Sequence, residues 1–433
     1  MTPPSLPAAA PPAAPPAAPP AATARFAATR SRILDAASTL INERGVKGLS
    51  LAEVADKVGL GNTSVTYYFK RKDELAAACF DRALDQLEAQ VTKAGAEPDL
   101  RARIRRLVAL NFTALEEIER GIARPTVRLS DLRANEDPMR GELVARFFAI
   151  FRMARAFFGE GGSEEDRLLR LMRTHVLLDN MFMLPSWLDQ YGVEEYDRVR
   201  FRLVELLERG IAPGWARWNP IPVILSDDSA DTAQDRFLGA ATRLINERGY
   251  RGASVEQISS QLNVTKGSFY HHHDAKDDLV LACFQRSLAT VSAAQDAALA
   301  VEGSRLDRVV SAVAALLEMQ LTDRAPLLRS TALLALPGEL RAEVVDRSNR
   351  ITRRFAGMII DGITEGSIPP VDPVIAGQVL MAALNAAYEL RERAARVPLD
   401  RAILLYGSTL LHGLLSVRGP AAEDHLTANR IHT

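Results

Sequence analysis

The sequence predicts an all-α fold made of two tandem units, and three observations lead there. The hexapeptide Leu40-Ile-Asn-Glu-Arg-Gly45 recurs letter for letter as Leu244-Ile-Asn-Glu-Arg-Gly249, a shift of 204 residues that also relates the only two cysteines, Cys79 and Cys283. Apolar residues return at helical spacing through both copies, without strand-like alternation. The same helix starts and stops punctuate each copy. Solenoid units run roughly 20–50 residues, so a period this long means tandem domains rather than a repeat array.

In the first copy Ile33, Leu34, Ala37, Leu40 and Ile41 form one apolar face from Phe26 onward, and Gly45 closes that helix as a left-handed cap. Ser50-Leu-Ala-Glu53 reads as a capping box that starts a short second helix at Leu51, with Val54 and Val58 inward. Gly59-Leu60-Gly61 reads as a tight turn around one buried leucine, and Asn62 to Phe69 as a third short helix. A long fourth helix starts at Lys72, where Asp73 and Glu74 suit the positive end of the helix dipole. The second copy repeats the order: Phe237 to Arg248, cap Gly249, capping box Ser254-Val-Glu-Gln257, turn at Asn263-Val264, short helix Thr265 to His272 and a long helix from Lys276. Two short helices joined by a tight turn and braced by longer ones make a helix-turn-helix.

The composition narrows the function classes. Of 433 residues, 47% are hydrophobic and 25% charged, and no apolar run approaches the roughly 20 residues of a membrane span. Thr2 to Thr23 are almost all proline and alanine, which read as a disordered tail and lack the charged start and apolar block of a secretory signal. One cysteine in each copy reads as a small core hydrophobe in a reduced, cytoplasmic setting. The net charge of −1 means that nucleic-acid binding must rest on local patches. Such patches exist: Arg30 to Lys72 holds eight basic residues against four acidic ones, and Asp235 to Lys276 six against four. No phosphate loop, metal-ligand spacing or nucleophile elbow points to an enzyme or a cofactor. The run His271-His-His273 is not read as a metal site, because consecutive helical residues diverge by about 100° and cannot converge on one ion.

Leu60-Gly-Asn-Thr-Ser-Val-Thr-Tyr-Tyr-Phe-Lys-Arg-Lys-Asp-Glu-Leu75 and Val264-Thr-Lys-Gly-Ser-Phe-Tyr-His-His-His-Asp-Ala-Lys-Asp-Asp-Leu279 resemble the signature that ends the DNA-binding domain of the TetR/AcrR family of one-component bacterial regulators. A helix entering the major groove needs small or polar residues in its first turn and phosphate grips at its edges. Asn62, Thr63 and Thr66 in the first copy, and Lys266, Gly267 and Tyr270 in the second, are the positions expected to face base edges. Phosphate contacts fall to Ser50, Tyr67 and Lys72, and to Ser254, His271 and Lys276. The resemblance implies that the lysine opening helix four and the aromatic or histidine late in helix three grip the backbone of double-stranded DNA. The two recognition helices differ at nearly every groove-facing place, which predicts an asymmetric operator. His273 stands where the first copy has Phe69 and departs from the family's usual phenylalanine.

The expected organisation is a tail (1–24), a first helix-turn-helix (25–72), a first helical effector and dimerisation domain (73–211), a connector (212–231), a second helix-turn-helix (232–276), a second helical effector and dimerisation domain (277–418) and a C-terminal tail (419–433). The resemblance implies a largely apolar effector pocket in such helical domains and pairing through their last two helices. His175, Asn180, Asn385 and Tyr388 are polar residues that could orient a small apolar effector or simply satisfy the core. An extended connector of this length reaches up to about 70 Å, enough for the second copy to fold back on the first as an intramolecular pseudo-dimer; a homodimer of chains stays open. The function expected is an effector-released repressor. The alternative is a scaffold in which only one helix-turn-helix still binds DNA, favoured by His273.

Overall fold

An alanine-rich stretch starts the described chain as helix, because alanine has the highest helix propensity and Phe26 finds an aromatic partner further along. Helix α1 spans Ala21–Arg44 and so begins inside the segment read as tail. The computed structural model describes residues 21–129, 132, 139–225, 233–252, 260, 276–322, 326–336 and 338–416. The tail up to residue 20, the end of the connector, the second capping box and recognition helix, and the C-terminal residues from 417 lie outside that range.

The first unit continues with α2 (Leu51–Val58), α3 (Asn62–Tyr68), α4 (Lys72–Gly95), α5 (Leu100–Glu119), α6 (Met139–Arg155), α7 (Glu164–Met183) and α8 (Tyr196–Arg209). The second runs α9 (Ala233–Gly252, broken at Gly249 with φ 72°), α10 (Lys276–Leu299), α11 (Arg305–Thr322), α12 (Gly338–Glu365), α13 (Pro373–Ala387) and α14 (Leu399–His412). The starts of α2, α3, α4 and α10 and the end of α1 fall where the sequence signals placed them, whereas α1 and α9 begin ahead of Phe26 and Phe237 and α9 runs on past Arg248 to Gly252. No strand occurs among the described residues.

Within each unit α1 to α3, or α9, lean on the long helix that follows, and the remaining helices pack beside it. Between units α7 and α8 pack against α13 and α14, all four from one chain. One apolar core runs without a break from Ile33 in α1 through Leu177 in α7 to Leu380 in α13. A smaller cluster joins Leu244 and Cys283 to Leu328 and Val344.

At the ends of α8 and α14 the contacts become reciprocal. The Ala212 amide donates to the Leu411 carbonyl at 3.0 Å, and the Leu415 amide donates to the Glu208 carbonyl at 3.4 Å. Both donors and both acceptors are related by a shift of 203 residues, and so are Gly210 and Gly413 between them. These glycines have φ 71°, ψ −159° and φ 74°, ψ −179°, a region that is essentially glycine-only. A Cβ on Gly210 would sit 2.2 Å from the Leu411 oxygen, and one on Gly413 would sit 2.4 Å from the Glu208 carbonyl carbon.

The connector is not the loose tether its prolines suggest. Ala212 and Ala216 are buried, Val223 and Leu225 pack against the shared core, and the Ile221 amide donates to Ser311 Oγ at 2.9 Å. Its described part lies along the second unit because its alternating apolar residues find that surface.

Candidate nucleic-acid interface

The turn between α2 and α3 is set by hydrogen bonds at the end of α2. Gly59 is left-handed at φ 66°, its amide reaches the Asp56 carbonyl, and the Leu60 amide reaches the Ala55 carbonyl at 2.9 Å. That pair of bonds is a Schellman ending, and it turns the chain at once into α3. Leu60 is half-buried rather than buried. In α3 only Val65 is buried, and it anchors the helix so that Asn62, Thr63, Ser64, Thr66 and Tyr67 all face solvent. Thr66 Oγ1 donates to the Asn62 carbonyl at 2.9 Å, which leaves its lone pairs and its methyl for a ligand.

The capping box read at Ser50 does not form. Ser50 is the N-cap residue of α2 but makes no side-chain cap bond, and the Glu53 carboxylate that would complete the box pairs with Arg44 instead, with Nη1 to Oε1 at 2.6 Å. The exposed Ser50 hydroxyl is therefore left for a partner outside the helix. Lys72 opens α4 and is exposed beside Lys70 and Arg71, although Arg71 is held by Asp73 at 3.0 Å. Tyr67 is 76% exposed.

Two neighbours of α3 come from α1: the sequence counts Arg30 in the basic patch but gives neither it nor Phe26 a contact there. Phe26 lies edge-on to Tyr67 at 6.3 Å between ring centroids and 4.7 Å from Tyr68. The Arg30 guanidinium sits 5.3 Å over the Phe69 ring, in cation–π range. The first-copy positions predicted from sequence, Ser50, Asn62, Thr63, Thr66, Tyr67 and Lys72, are all exposed, and Phe26 packs on Tyr67 beside them. Ser254, Lys266, Gly267, Tyr270, His271 and His273 lie outside the described residues, as does the side chain of Lys276.

The repeated hexapeptide acquires a structural reason. Its leucine and isoleucine are buried in both copies, and its asparagine ties the helix-turn-helix to the sensor domain behind it. Asn42 Nδ2 donates to the Thr126 carbonyl at 2.9 Å, and the Arg128 amide donates to Asn42 Oδ1 at 2.9 Å. Asn246 Nδ2 donates to the Leu327 carbonyl at 2.9 Å, and the Arg329 amide donates to Asn246 Oδ1 at 3.0 Å. Arg82 and Arg286 reach the carbonyls of Pro125 and Pro326 in the same two loops, at 3.1 and 3.3 Å. The cysteines match as closely: Cys79 Sγ and Cys283 Sγ donate to the carbonyls of Leu34 and Leu238 at 3.7 Å each. Burial pushes these thiols up, to about 11 and about 12.

A cavity of about 1060 Å³ opens where the units meet, between α6 and α7 on one side and the residues around Arg329 and Arg391 on the other. Of the polar residues singled out in the sensor halves, His175 and Asn385 line it; Nδ1 of His175 is 3.0 Å from Asp179, and Asn385 Oδ1 accepts from the Ser330 amide at 2.8 Å. Asn180 is buried against the Val176 carbonyl at 2.7 Å, and Tyr388 is buried beneath Arg391, 4.1 Å from ring centroid to guanidinium.

A helix-turn-helix with an exposed polar second helix, tied to a helical domain through an asparagine clamp that recurs in the second copy, is the arrangement of a DNA-binding transcriptional regulator. The model for bacterial regulatory proteins of the tetR family matches residues 33–79 and again 237–283, and that for a tetracyclin repressor-like C-terminal domain matches 302–389. The chain is 32% identical over 140 residues to the HTH-type transcriptional regulator BetI of Burkholderia mallei (strain NCTC 10229), covering 29% of this chain and 71% of that protein. It is 39% identical over 57 residues to the Transposon Tn10 TetC protein of Escherichia coli, covering 13% of this chain and 29% of that protein. Among solved structures, the TetR family transcriptional regulator PfmR from Thermus thermophilus matches at 22% identity and a TM-score of 0.35, over 42% of this chain and 99% of that one. The chain belongs to the TetR family, with the family's DNA-binding unit present in tandem. Among the described residues no helix is long and apolar enough to cross a membrane.

Proposed function

We propose that the chain is an effector-released repressor that grips DNA as a covalent pseudo-dimer, with one reading head from each half on an operator of two unlike half-sites. The observation that carries this reading is the reciprocal pair of bonds, Ala212 to Leu411 and Leu415 to Glu208, at the ends of four mutually packed helices. In a two-fold assembly residue i meets j where j meets i. Here both partners belong to one chain, so the symmetric surface that would recruit a second chain is already occupied. The exposed residues Asn62, Thr63 and Thr66 read base edges, and Ser50, Tyr67 and Lys72 grip phosphates. Lys266, Gly267 and Tyr270, with Ser254, His271 and Lys276, take those roles in the second head. A small molecule releases DNA by favouring a state in which the heads are wrongly spaced.

The test is selection of genomic fragments by the full chain at stated salt, with its mass in solution measured alongside. A monomer that enriches a site with two unlike halves supports the reading, whereas a dimer of chains enriching a palindrome defeats it. His273 in place of Phe69 favours a second reading, in which only the first head binds DNA. Unchanged DNA affinity after Tyr270→Ala and Lys276→Ala would select it.

A further inference from the structure

The cavity between the units combines a cluster of phenyl rings from the first unit with arginines from both. The first unit supplies phenyl rings: Phe147 lies 6.0, 6.4 and 5.9 Å from Phe148, Phe151 and Phe182, centroid to centroid. The second unit supplies cations, namely Arg329, Arg391, Arg393 and Arg396. Arg152 and Arg155 face them from α6, and neither they nor Arg393 lie within ion-pair distance of a carboxylate among the described residues. In all, eight arginines line the cavity against the five carboxylates of Glu160, Glu164, Asp179, Glu389 and Glu392. A cluster of phenyl rings beside surplus guanidinium groups matches a molecule with a greasy or aromatic body and an anionic end.

Arg329 is the second, independent observation. It is only 8% exposed, its guanidinium pairs with Glu389, and its Nε is buried without a hydrogen-bond partner. Its side chain lines the cavity while its amide donates to Asn246 in α9 at 3.0 Å. Arg391, also on the cavity wall, is 3.5 Å from Glu247, the next residue of that helix. The corresponding loop residue of the first unit, Arg128, is not part of the cavity. The first unit's loop reaches the cavity only through the apolar Leu129 and Leu132, so the charged connection to a helix-turn-helix is one-sided.

We propose that this cavity is one effector site shared by the two units, that it takes an amphipathic carboxylate or phosphate, and that Arg329 and Arg391 report its occupancy to the second helix-turn-helix. The proposal rests on the effector-responsive reading above and adds to it the ligand class and the head that responds. An anion that draws Arg329 and Arg391 toward the cavity pulls on the Asn246 clamp and competes with Glu247, so its differential affinity for the two arrangements is the coupling.

The experiment titrates the full chain by calorimetry with dodecanoate, dodecyl phosphate and dodecanol, each below its micelle concentration. The expected result is at least tenfold tighter binding of the two anions than of the alcohol. Joint Arg393→Gln and Arg396→Gln should remove that preference, and joint Arg393→Lys and Arg396→Lys should largely keep it. Hydrogen exchange on the saturated protein should rise in α9 and stay unchanged in α1. Dodecanol binding as tightly as the anions, no binding by any of the three, or a preference untouched by the glutamine pair overturns the site. Binding with exchange unchanged in α9, or altered equally in α1, overturns the relay. Neither readout uses DNA, so failure of the repressor reading would appear separately, as failure of the fragment selection.

Discussion

Asn246 accepts a hydrogen bond from the Arg329 amide at 3.0 Å, and Asn42 accepts one from the Arg128 amide at 2.9 Å, so the same letter of the repeated hexapeptide joins each reading head to its own sensor. Asn246→Ala strands the Arg329 amide and the Leu327 carbonyl in a buried place, and is expected to cost about 1–3 kcal/mol. Asn42 is half-buried, so water can replace it and Asn42→Ala should cost less. Urea unfolding of both variants checks the order; equal costs would mean that the second clamp is as wet as the first.

Gly210→Ala and Gly413→Ala each force a side chain into a glycine-only backbone region and against the backbone of the opposite unit. Strain of roughly 1–3 kcal/mol adds to overpacking of a similar size, so each variant should lose about 2–6 kcal/mol. Thermal unfolding tests this. A melting temperature unchanged in either variant would show that the two helix ends do not meet as described.

The thiols give a pH dependence with a definite sign. Burial raises Cys79 from its ordinary 9.0 to about 11 and Cys283 to about 12, so both stay protonated in the folded chain while the unfolded chain ionises. Their contribution is fully present below pH 9.0 and falls above it, by up to about 1.4 kcal/mol per pH unit per thiol, until the folded thiols ionise in turn. Iodoacetamide at pH 8 should therefore label the native chain far more slowly than the urea-unfolded chain. Equal rates would refute the buried placement.

On DNA, Lys72→Ala should weaken every sequence alike and reduce the salt slope by about 1. Asn62→Ala should cost about 1–3 kcal/mol on the selected operator and relax preference at one base pair. Phe26→Ala belongs in the same series, since loss of its packing on Tyr67 and Tyr68 would disorder the phosphate grip rather than change sequence preference.

Local signals carried the helices well. The 3.6-residue spacing of Ile33, Ala37 and Leu40, and the left-handed glycines 45, 59, 249 and 413, act within one turn of chain and need no tertiary information. The Glu53 half of the capping box failed because a competitor nine residues away, Arg44, offered its carboxylate a bond between two charges. The face of α3 was legible as far as α3 extends, while the contacts that Phe26 and Arg30 make there were not, since only packing brings α1 beside it. The asparagine clamps join residues 84 and 81 apart, and the cavity draws on both units, so neither leaves a spacing that a reader of one chain could find. The repeat itself was visible; the work done by its third letter was not.

An apolar core that passes unbroken from α1 to α13 has a consequence for dosage. Two subunits held by contact alone separate on dilution, so a regulator present in a few copies per cell must first find its twin. Two units joined through one core and one chain keep a fixed ratio and a fixed local concentration at any level of expression.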